Sequence, residues 1–334
     1  MAEVRIAGGE AYPCAEDDTL LRAALRAGLG MPYECNSGSC GTCKVELTEG
    51  AIHTLRPDAP GLAERDRAKN RVLACQAQPR GDCAIKVRLR PENVPAIRPA
   101  RFRARLGSVR ELTHDMREFR FVASQSPGFL PGQYALFYLP GIATPRTYSM
   151  SNVFDPARGE WHFVVRRVPG GVGTNALFDH VPVGSEITLD GPYGLAYLRT
   201  DSPRDIVLIG GGSGLAPMLS IARAAAREPR LDGRRIDLFY GARTMRDLCG
   251  ERELCELPGY GERLHFHPVL SEAGEEGWQG ACGFVHDIAR DFIGERWAEH
   301  EYYFAGPPPM AEAVQRMLMD KRVPYPQVHF DSFY

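Results

Sequence analysis

The sequence predicts a multi-domain protein of mixed α+β and α/β class, and three observations support this fold class. The chain has 334 residues, and a single domain holds roughly 150, so the length leaves room for two or three cores. Residues 100–200 contain short aromatic and β-branched runs separated by Pro and Gly, which predict an antiparallel β-barrel. After residue 204 the pattern alternates between strands and helices, which predicts a parallel sheet covered by helices.

Each predicted element follows from its own residue pattern. In the first 90 residues, two strands flank one helix, and the later regions are richer in apolar runs. The strands are predicted at 3–6, 44–47, 133–139, 161–166, 186–189, 206–209, 236–240, 264–270, 302–305 and 327–330. The helices are predicted near 20–27, 175–179, 217–226 and 310–319.

Two proline-bearing stretches divide the chain into domains. Residues 90–99 hold three prolines with little periodicity, and the stretch 200–203 precedes an apolar strand and a glycine cluster. We therefore predict domains at residues 1–92, 100–200 and 204–334.

Composition and charge exclude several function classes. The chain is 44% hydrophobic and 25% charged with a mean hydropathy of -0.28, which is typical of a globular protein. Its 40 basic and 42 acidic residues give a net charge of -2, which favours neither a nucleic acid nor a membrane surface as partner. Because the sequence has no signal-peptide pattern and no run of 18 apolar residues, we expect a cytoplasmic protein.

Four of the nine cysteines have the spacing of an iron-sulfur site. Cys35, Cys40 and Cys43 form a C-x4-C-x2-C pattern, and Cys75 follows after 31 intervening residues. Four thiolates can hold two irons, and glycines inside this loop permit the sharp turns that wrapping a cluster requires. The spacing predicts a [2Fe-2S] cluster. A structural zinc site is the alternative, but such sites usually have paired C-x2-C knuckles.

The other cysteines show no comparable spacing. Cytoplasmic thiols stay reduced, so disulfides are not expected. We expect each of these five to be a small buried side chain. They are Cys14, Cys83, Cys249, Cys255 and Cys282.

Two motifs in the predicted barrel could bind a phosphorylated, flat ligand. Residues 146–149, Arg-Thr-Tyr-Ser, combine a cation, an aromatic ring and hydroxyls on one strand. Alternation would place Arg146 and Tyr148 on one face and Ser149 on the other, unless the strand bends. A glycine turn at 170–173 then opens a short helix headed by Thr174 and Asn175, and helix N-termini bind pyrophosphate. An ordinary strand and a capped glycine turn are the alternatives.

The predicted parallel sheet begins with a strand that runs into a glycine-rich loop at 210–214. This loop offers bare backbone to a pyrophosphate, but it departs from the G-x-G-x-x-G fingerprint because Leu215 occupies the last glycine position. A tight strand-helix turn without a ligand is the alternative. No acid ends the next strand, and Arg243 there could recognise the 2′-phosphate of NADPH.

Residues 1–90 resemble the plant-type ferredoxins, and residues 100–334 resemble the ferredoxin-NADP reductase superfamily. The first resemblance rests on the four cysteines and implies a β-grasp fold that holds the cluster. The second rests on residues 146–149, 163–168, 171–174, 210–218 and 303–310, which occur in the superfamily's order. Most relatives have a Cys where this chain has Ala305, so a role for that thiol does not carry over.

The second resemblance implies binding sites for FAD and a nicotinamide nucleotide. Ser149 would face the reactive flavin edge and Tyr148 would lie against the flavin, which makes these two the predicted catalytic residues. The implied FAD-binding residues are Arg146, Thr147, Tyr148, Ser149, Phe163, Val165, Gly171, Val172, Gly173, Thr174 and Phe333, with Tyr334 in reserve. The implied NADH-binding residues are Gly211, Gly212, Ser213, Gly214, Arg243, Gly306 and Pro307.

The order of ferredoxin, flavin and nucleotide domains resembles the reductase components of bacterial aromatic-ring oxygenases. This resemblance implies electron transfer from NADH, with NADPH as the alternative, through FAD and the cluster to a ferredoxin or terminal oxygenase. The partner would dock transiently, and we expect a monomer because a monomer suits a protein that must release its partner quickly. A reductase for a deoxysugar dehydrase is one alternative function, and a zinc- and nucleotide-binding interaction protein is another.

Overall fold

The computed structural model describes residues 1–272 and 277–332, whose strands form three large sheets and one two-stranded ribbon. The first region contains seven strands and two helices. They are β1 Ala2–Ile6, β2 Ala11–Cys14, α1 Leu20–Arg26, β3 Lys44–Glu49, β4 Ile52–Thr54, α2 Glu64–Arg67, β5 Arg71–Leu73, β6 Ala77–Pro79 and β7 Cys83–Lys86. Five strands form a mixed sheet in the order β2-β1-β7-β3-β5, and β4 pairs with β6.

Helix α1 covers this first sheet. The Thr19 hydroxyl caps the helix by accepting the N–H of Arg22 at 3.4 Å, and Gly28 just beyond its end has φ +84°, a conformation that favours glycine. Leu20, Leu21 and other helix residues are buried in the core of this region. The sequence-predicted helix at 20–27 is confirmed, with its end one residue earlier.

The second region forms the antiparallel barrel that the sequence predicts. Its elements are β8 Ala100–Glu111, β9 Met116–Val122, β10 Tyr134–Tyr138, β11 Arg146–Ser149, β12 Glu160–Arg166, α3 Val172–His180 and β13 Glu186–Tyr193. The six strands pair in the order β11-β10-β13-β8-β9-β12. A bridge between Met150 and Phe163 joins the two edges, which closes the sheet. Helix α3 begins at Val172, earlier than the predicted start near 175.

The third region is a parallel sheet with helices on both faces. Its elements are β14 Asp205–Gly211, α4 Leu215–Ala225, β15 Ile236–Ala242, α5 Glu251–Leu254, β16 Leu264–Leu270, β17 Ala281–Cys282, α6 Val285–Ile293, β18 His300–Gly306, α7 Pro308–Asp320 and β19 Val328–Ser332. The strand order is β17-β16-β15-β14-β18-β19, with every pair parallel. The order reverses between β14 and β18, and ligands of such sheets bind at the carboxyl ends of the strands there.

The first region and the barrel share one continuous core. Tyr134, Leu136 and Tyr193 of the barrel belong to the same cluster of buried side chains as α1 and the first sheet. The proline-bearing segment between them also packs closely, since the N–H of Arg90 donates to the carbonyl of Gly30 at 2.8 Å. The predicted boundaries at 92, 100, 200 and 204 remain predictions.

The sequence predicts that the cysteines are reduced and that five of them are buried, and the structure agrees with the second prediction only in part. All nine are free thiols, and Cys14 and Cys83 are buried as expected. The expectation is wrong for Cys255 and Cys282, which are exposed, because Cys255 follows the short helix α5 and Cys282 lies on the edge strand β17. Within the described ranges, no helix is long and apolar enough to cross a membrane.

Candidate functional site

A single cavity of about 1230 Å³ lies where the three regions meet. Its walls include Ser37 and Ser39 from the cysteine loop, residues 146–149 from β11, and residues 211–213 from the end of β14. The cavity thus brings the predicted cluster loop, the predicted flavin strand and the predicted nucleotide loop to one common space.

The structure brings the four predicted cluster ligands together as two thiol pairs. The thiols of Cys35 and Cys40 interact, as do those of Cys43 and Cys75, and within each pair the pKa of one thiol is lowered while that of the other is raised. The hydrogen bond from Cys40 lowers the pKa of the Cys35 thiol to about 5, although burial opposes it. A lowered pKa favours the thiolate, which is the form that binds metal.

Backbone and side-chain donors already point at the sulfurs. The Sγ of Cys35 accepts the N–H of Ser37 at 3.5 Å and the N–H of Cys40 at 3.4 Å. The Sγ of Cys75 accepts from the Gln76 side chain at 3.4 Å. Such hydrogen bonds to thiolate sulfurs are a feature of iron-sulfur sites. The donor set therefore fits a cluster.

Glycines permit the close folding of the cysteine loop. Gly38 and Gly41 have φ +88° and +76°, a region that side chains rarely adopt. A Cβ on Gly41 would lie 2.6 Å from the carbonyl oxygen of Gly61, and the Gly61 N–H donates to the carbonyl of Gly38 at 3.0 Å. The loop at 59–62 thus lies directly against the cysteine loop.

The site is asymmetric in its access to solvent. Cys43 and Cys75 are buried, whereas Cys35 and Cys40 are partly exposed and Thr42 beside them is exposed. One edge of the cysteine loop therefore faces the surface, and the opposite edge faces the protein interior.

Two carboxyl groups, the buried Asp331 and the half-buried Glu34, lie near Cys35. Burial, together with the nearby Glu34 and Cys35, raises the pKa of Asp331, on β19, to about 8. Burial also raises the pKa of Glu34 to about 7. The end of the nucleotide-region sheet thus approaches the cysteine loop.

All four residues of β11 that the sequence singled out line the cavity, including Thr147. Arg146 is held by its own neighbour, because its Nη1 donates to the carbonyl and to the hydroxyl of Thr144 at 2.8 and 2.6 Å. Tyr148 packs edge-on against Phe137 at 4.8 Å between ring centroids. Burial raises the pKa of Tyr148 to about 12, so its hydroxyl stays protonated at neutral pH.

The N-terminus of α3 faces the same cavity. Gly171 precedes the helix, Val172 is its first residue, and Thr174 lines the cavity. A Cβ on Gly173 would lie 2.7 Å from Cγ of Arg146, so the absence of a side chain lets Arg146 cross the helix start. The Thr174 hydroxyl donates to the Gly171 carbonyl at 3.2 Å. First-turn N–H groups beside an Arg suit a pyrophosphate.

The two predicted residues of β12 lie in different surroundings. Val165 lines the cavity. Phe163 lies in the barrel core, where its ring packs edge-on against Phe137 at 4.6 Å and against Phe121 at 6.1 Å. Phe333 and Tyr334 lie outside the described residues.

Two glycine loops of the parallel sheet meet at its switch point. Gly211, Gly212 and Ser213 line the cavity, as does Pro307. A Cβ on Gly214 would lie 2.0 Å from the carbonyl oxygen of Ala305, so only glycine allows this contact between the ends of β14 and β18.

The side chain of Met310 packs against both loops. A Cβ on Gly211 would lie 2.6 Å from its Sδ, and one on Gly306 would lie 2.6 Å from its Cε. The glycines that the sequence assigned to nucleotide binding therefore also allow the two loops to pack together.

An acid that the sequence analysis missed lies beside Arg243. Asp247 is buried, and its Oδ2 accepts from the N–H and hydroxyl of Thr244 at 3.1 and 2.9 Å. Its Oδ1 has no hydrogen-bond partner among the described residues. Arg243 lies 4.0 Å away and is mostly exposed. Asp247 lines a second cavity of about 200 Å³. Several residues, Arg166 and Gly211 among them, line both cavities.

Arg166 connects the barrel to this acid. Its Nε donates to Asp115 at 2.6 Å, and its Nη2 lies 3.8 Å from Oδ1 of Asp247. Arg166 belongs to the segment 163–168, but no pattern in the sequence predicts a role for it. Asp247 lies beyond the strand end at which an acid was sought, because a 3-10 turn at 245–247 brings it back to the site.

Three family models match successive parts of the chain. The 2Fe-2S iron-sulfur cluster binding domain matches residues 4–80. The oxidoreductase FAD-binding domain matches residues 103–197, and the oxidoreductase NAD-binding domain matches residues 208–316. The first match decides between the iron-sulfur and zinc hypotheses in favour of iron and sulfur.

The chain is similar over its whole length to reductase components of oxygenase systems. It is 40% identical to the ferredoxin-NAD(P)+ reductase CarAd of Metapseudomonas resinovorans, covering 100% of both chains. It is 39% identical to the ferredoxin-NAD+ reductase component of the alkene monooxygenase system of Xanthobacter autotrophicus, covering 99% of this chain and 100% of that protein. Among solved structures, a ferredoxin reductase in carbazole 1,9a-dioxygenase matches with a TM-score of 0.93 and 40% identity, covering 99% of this chain and 98% of that one.

Proposed function

Because the chain belongs to the family of reductases that join a 2Fe-2S domain to FAD- and NAD-binding domains, we propose that it serves an aromatic-ring oxygenase system. The chain is an oxidoreductase that carries electrons from a nicotinamide nucleotide through FAD and a [2Fe-2S] cluster. Our proposal adds the acceptor, which would be a ferredoxin or a terminal oxygenase. It also adds the donor, NADH, and the residues that hold each cofactor.

The continuity of the large cavity is the observation that supports the proposal most directly. It contacts the cysteine loop, β11 and the loop after β14, so each cofactor would have its neighbour within the same space. When bound, FAD accepts two electrons as hydride and passes them singly to the cluster. The protein's part is to hold these groups in place.

We assign the cofactor-holding residues by their positions around this cavity. Cys35, Cys40, Cys43 and Cys75 would ligate the cluster. Arg146 and the first turn of α3 would hold the flavin pyrophosphate, because a cation and free N–H groups lie side by side there. Ser149 would face the reacting flavin edge with its hydroxyl, and Tyr148 would lie against the flavin.

The loops after β14 and β18 would hold the nicotinamide nucleotide. Residues 211–214 and 306–307 offer backbone without side chains at the switch point of the sheet. Asp247 supports a preference for NADH, because a buried carboxylate would repel a 2′-phosphate and can accept hydrogen bonds from ribose hydroxyls. The cation of Arg243 would favour NADPH instead, because it could pair with the 2′-phosphate. The two side chains therefore favour different nucleotides.

The partly exposed edge of the cysteine loop is the proposed outlet for electrons. Cys35 and Cys40 lie at this edge, and a partner docked there would approach the cluster more closely than anywhere on the buried side. We further propose a monomer in the cytoplasm, which suits nine free thiols and transient docking. Light scattering of the purified protein tests the monomer.

An anaerobic absorption titration tests the electron path. We expect the purified protein to contain FAD, iron and sulfide, and NADH to bleach the flavin and cluster bands at lower concentration than NADPH. In Cys40→Ser, the flavin band should still bleach while the cluster band is lost. A colourless wild-type protein, or a flavin band that neither nucleotide bleaches, would contradict the proposed function.

The acceptor needs a separate experiment. The reduced protein is mixed with a Rieske-type ferredoxin, a terminal oxygenase or a deoxysugar dehydrase, and acceptor reduction is followed by its absorbance. Faster reduction of the first two supports the oxygenase assignment. Reduction of the dehydrase alone would move the protein to nucleotide-sugar chemistry.

A further inference from the structure

Arg22 is a buried cation that lies between the cysteine loop and the barrel. It is on α1 and only 1% of it is exposed. Its Nε donates to Oδ1 of Asn36 in the cysteine loop at 3.2 Å, and its Nη1 donates to the Tyr138 hydroxyl on β10 at 3.2 Å. The guanidinium therefore connects the cluster-binding loop to the flavin-binding barrel.

The charge of Arg22 is not cancelled by a direct ion pair. Both of its side-chain hydrogen-bond partners are neutral, and no carboxylate of the described residues lies within 4.0 Å of its guanidinium. The nearby Asp190 is already paired with Arg26 at 2.5 Å. The Nη2 of Arg22 is buried and has no hydrogen-bond partner among the described residues.

This charge lies at the cavity wall beside the cysteine loop. Arg22 lines the large cavity together with Asn36 and Gln76. Gln76 donates to the Sγ of Cys75 at 3.4 Å, and Arg22 is close enough to attract a Cys75 thiolate electrostatically. Burial makes this attraction stronger than it would be in water.

We propose that Arg22 is a positioning residue that raises the reduction potential of the cluster and fixes the cysteine loop against the barrel. The proposal rests on the proposed function in one respect, the ligation of the cluster by Cys75. Reduction adds one electron and makes the cluster one unit more negative, with the hydride donor NADH as the electron source. A buried positive charge stabilises that product more than the oxidised cluster.

The test compares cluster potentials of the holoprotein by anaerobic spectroelectrochemistry. In Arg22→Gln, the equilibrium constant for one-electron reduction should fall about tenfold, a shift of about 59 mV to more negative potential. Arg22→Lys keeps the charge and should shift by less than half as much. Arg103→Gln removes an exposed cation that pairs with Glu186, and its cluster potential should match that of the wild type.

Iron, sulfide and flavin contents separate this proposal from the proposed function. A wild-type protein without a cluster would overturn the proposed function. A full cluster in Arg22→Gln with less than a twofold change in the equilibrium constant would overturn the role of Arg22 alone. If Arg22→Gln does not fold, Arg22→Met replaces it with the same expectations, since apolar isosteres of buried ions are often tolerated.

Discussion

Asp190 should be the most sensitive charged residue at the junction of the first region and the barrel. It is fully buried on β13, and its carboxylate accepts from Arg26 at 2.5 Å and from the Tyr193 hydroxyl at 2.8 Å. The Nε of Arg101 and the Tyr138 hydroxyl lie 3.4 Å away. The substitution Asp190→Asn keeps the shape and one acceptor oxygen but removes the charge.

The expected loss in the free energy of unfolding comes from the cation that Asp190→Asn leaves without its counter-ion. The side chain of Arg26 is only 23% exposed, so it would lose its buried counter-ion where water cannot fully replace it. Breaking a buried ion pair in this way costs about 3–5 kcal/mol. We expect about 3 kcal/mol, because Arg26 also pairs with Asp18 and keeps that partner.

Urea unfolding of the holoprotein measures this loss, with cluster absorbance as the probe of the first region. Glu186→Gln is the matched control, because its ion pair with Arg103 is mostly exposed and such pairs contribute little. A loss below about 1 kcal/mol in Asp190→Asn would refute the reasoning, since it would mean that the junction does not depend on this carboxylate.

Three further predictions concern the nucleotide region. Gly214→Ala should raise the Kd for NADH by about tenfold or more, because the new Cβ would lie 2.0 Å from the Ala305 carbonyl and force the two loops apart; titration of the oxidised protein measures it. Asp247→Asn should lower the ratio of kcat/KM for NADH over NADPH by about fivefold, a ribose-recognition effect measured by steady-state kinetics. Burial raises the pKa of Glu301, but hydrogen bonds from His329 and Ser202 have the larger opposite effect. They hold the pKa of Glu301 below 4.5. The stability from Glu301 is therefore present above pH 4.5 and lost as pH falls through the lowered pKa, so Glu301→Gln should flatten the change in urea midpoint between pH 7 and pH 3.

Each of these predictions has a control or a contrary outcome. Gly107→Ala adds a Cβ with no neighbour closer than 3.5 Å and should leave NADH binding unchanged. Asp232→Asn, at an exposed acid, should leave the nucleotide ratio unchanged. An unaltered ratio in Asp247→Asn would remove the argument for NADH selection, and equal pH profiles for Glu301→Gln and wild type would show that the carboxylate makes no net contribution.

Local patterns in the sequence are sufficient for the cluster loop and the order of sheets. Three cluster cysteines lie within nine residues of chain, so their spacing alone predicts how they can surround a metal group. A buried parallel strand is a continuous apolar run in the sequence, as residues 206–209 are, because helices cover both faces of the sheet. The resemblance to known families added the β-grasp fold and the roles of residues 146–149.

Other features depend on contacts between residues far apart in sequence. Phe163 lies in β12 within a run of three buried residues, 163–165, so alternation does not assign its face, and only the closed barrel shows that its ring packs inward. Asp247 reaches the nucleotide cavity through a turn whose direction no periodicity predicts.

The sequence by itself therefore determined the chemistry that this protein can hold, namely three thiolates in one loop with a fourth at Cys75, a flavin strand and a glycine loop on a parallel sheet. The tertiary structure alone decided how these parts face one another. Arg22 meets Tyr138 and Arg26 meets Asp190 across 116 and 164 residues of chain. Burial and charge pairing at such distances depend on how the domains pack, because a side chain acquires its electrostatic surroundings only when distant segments exclude water from it.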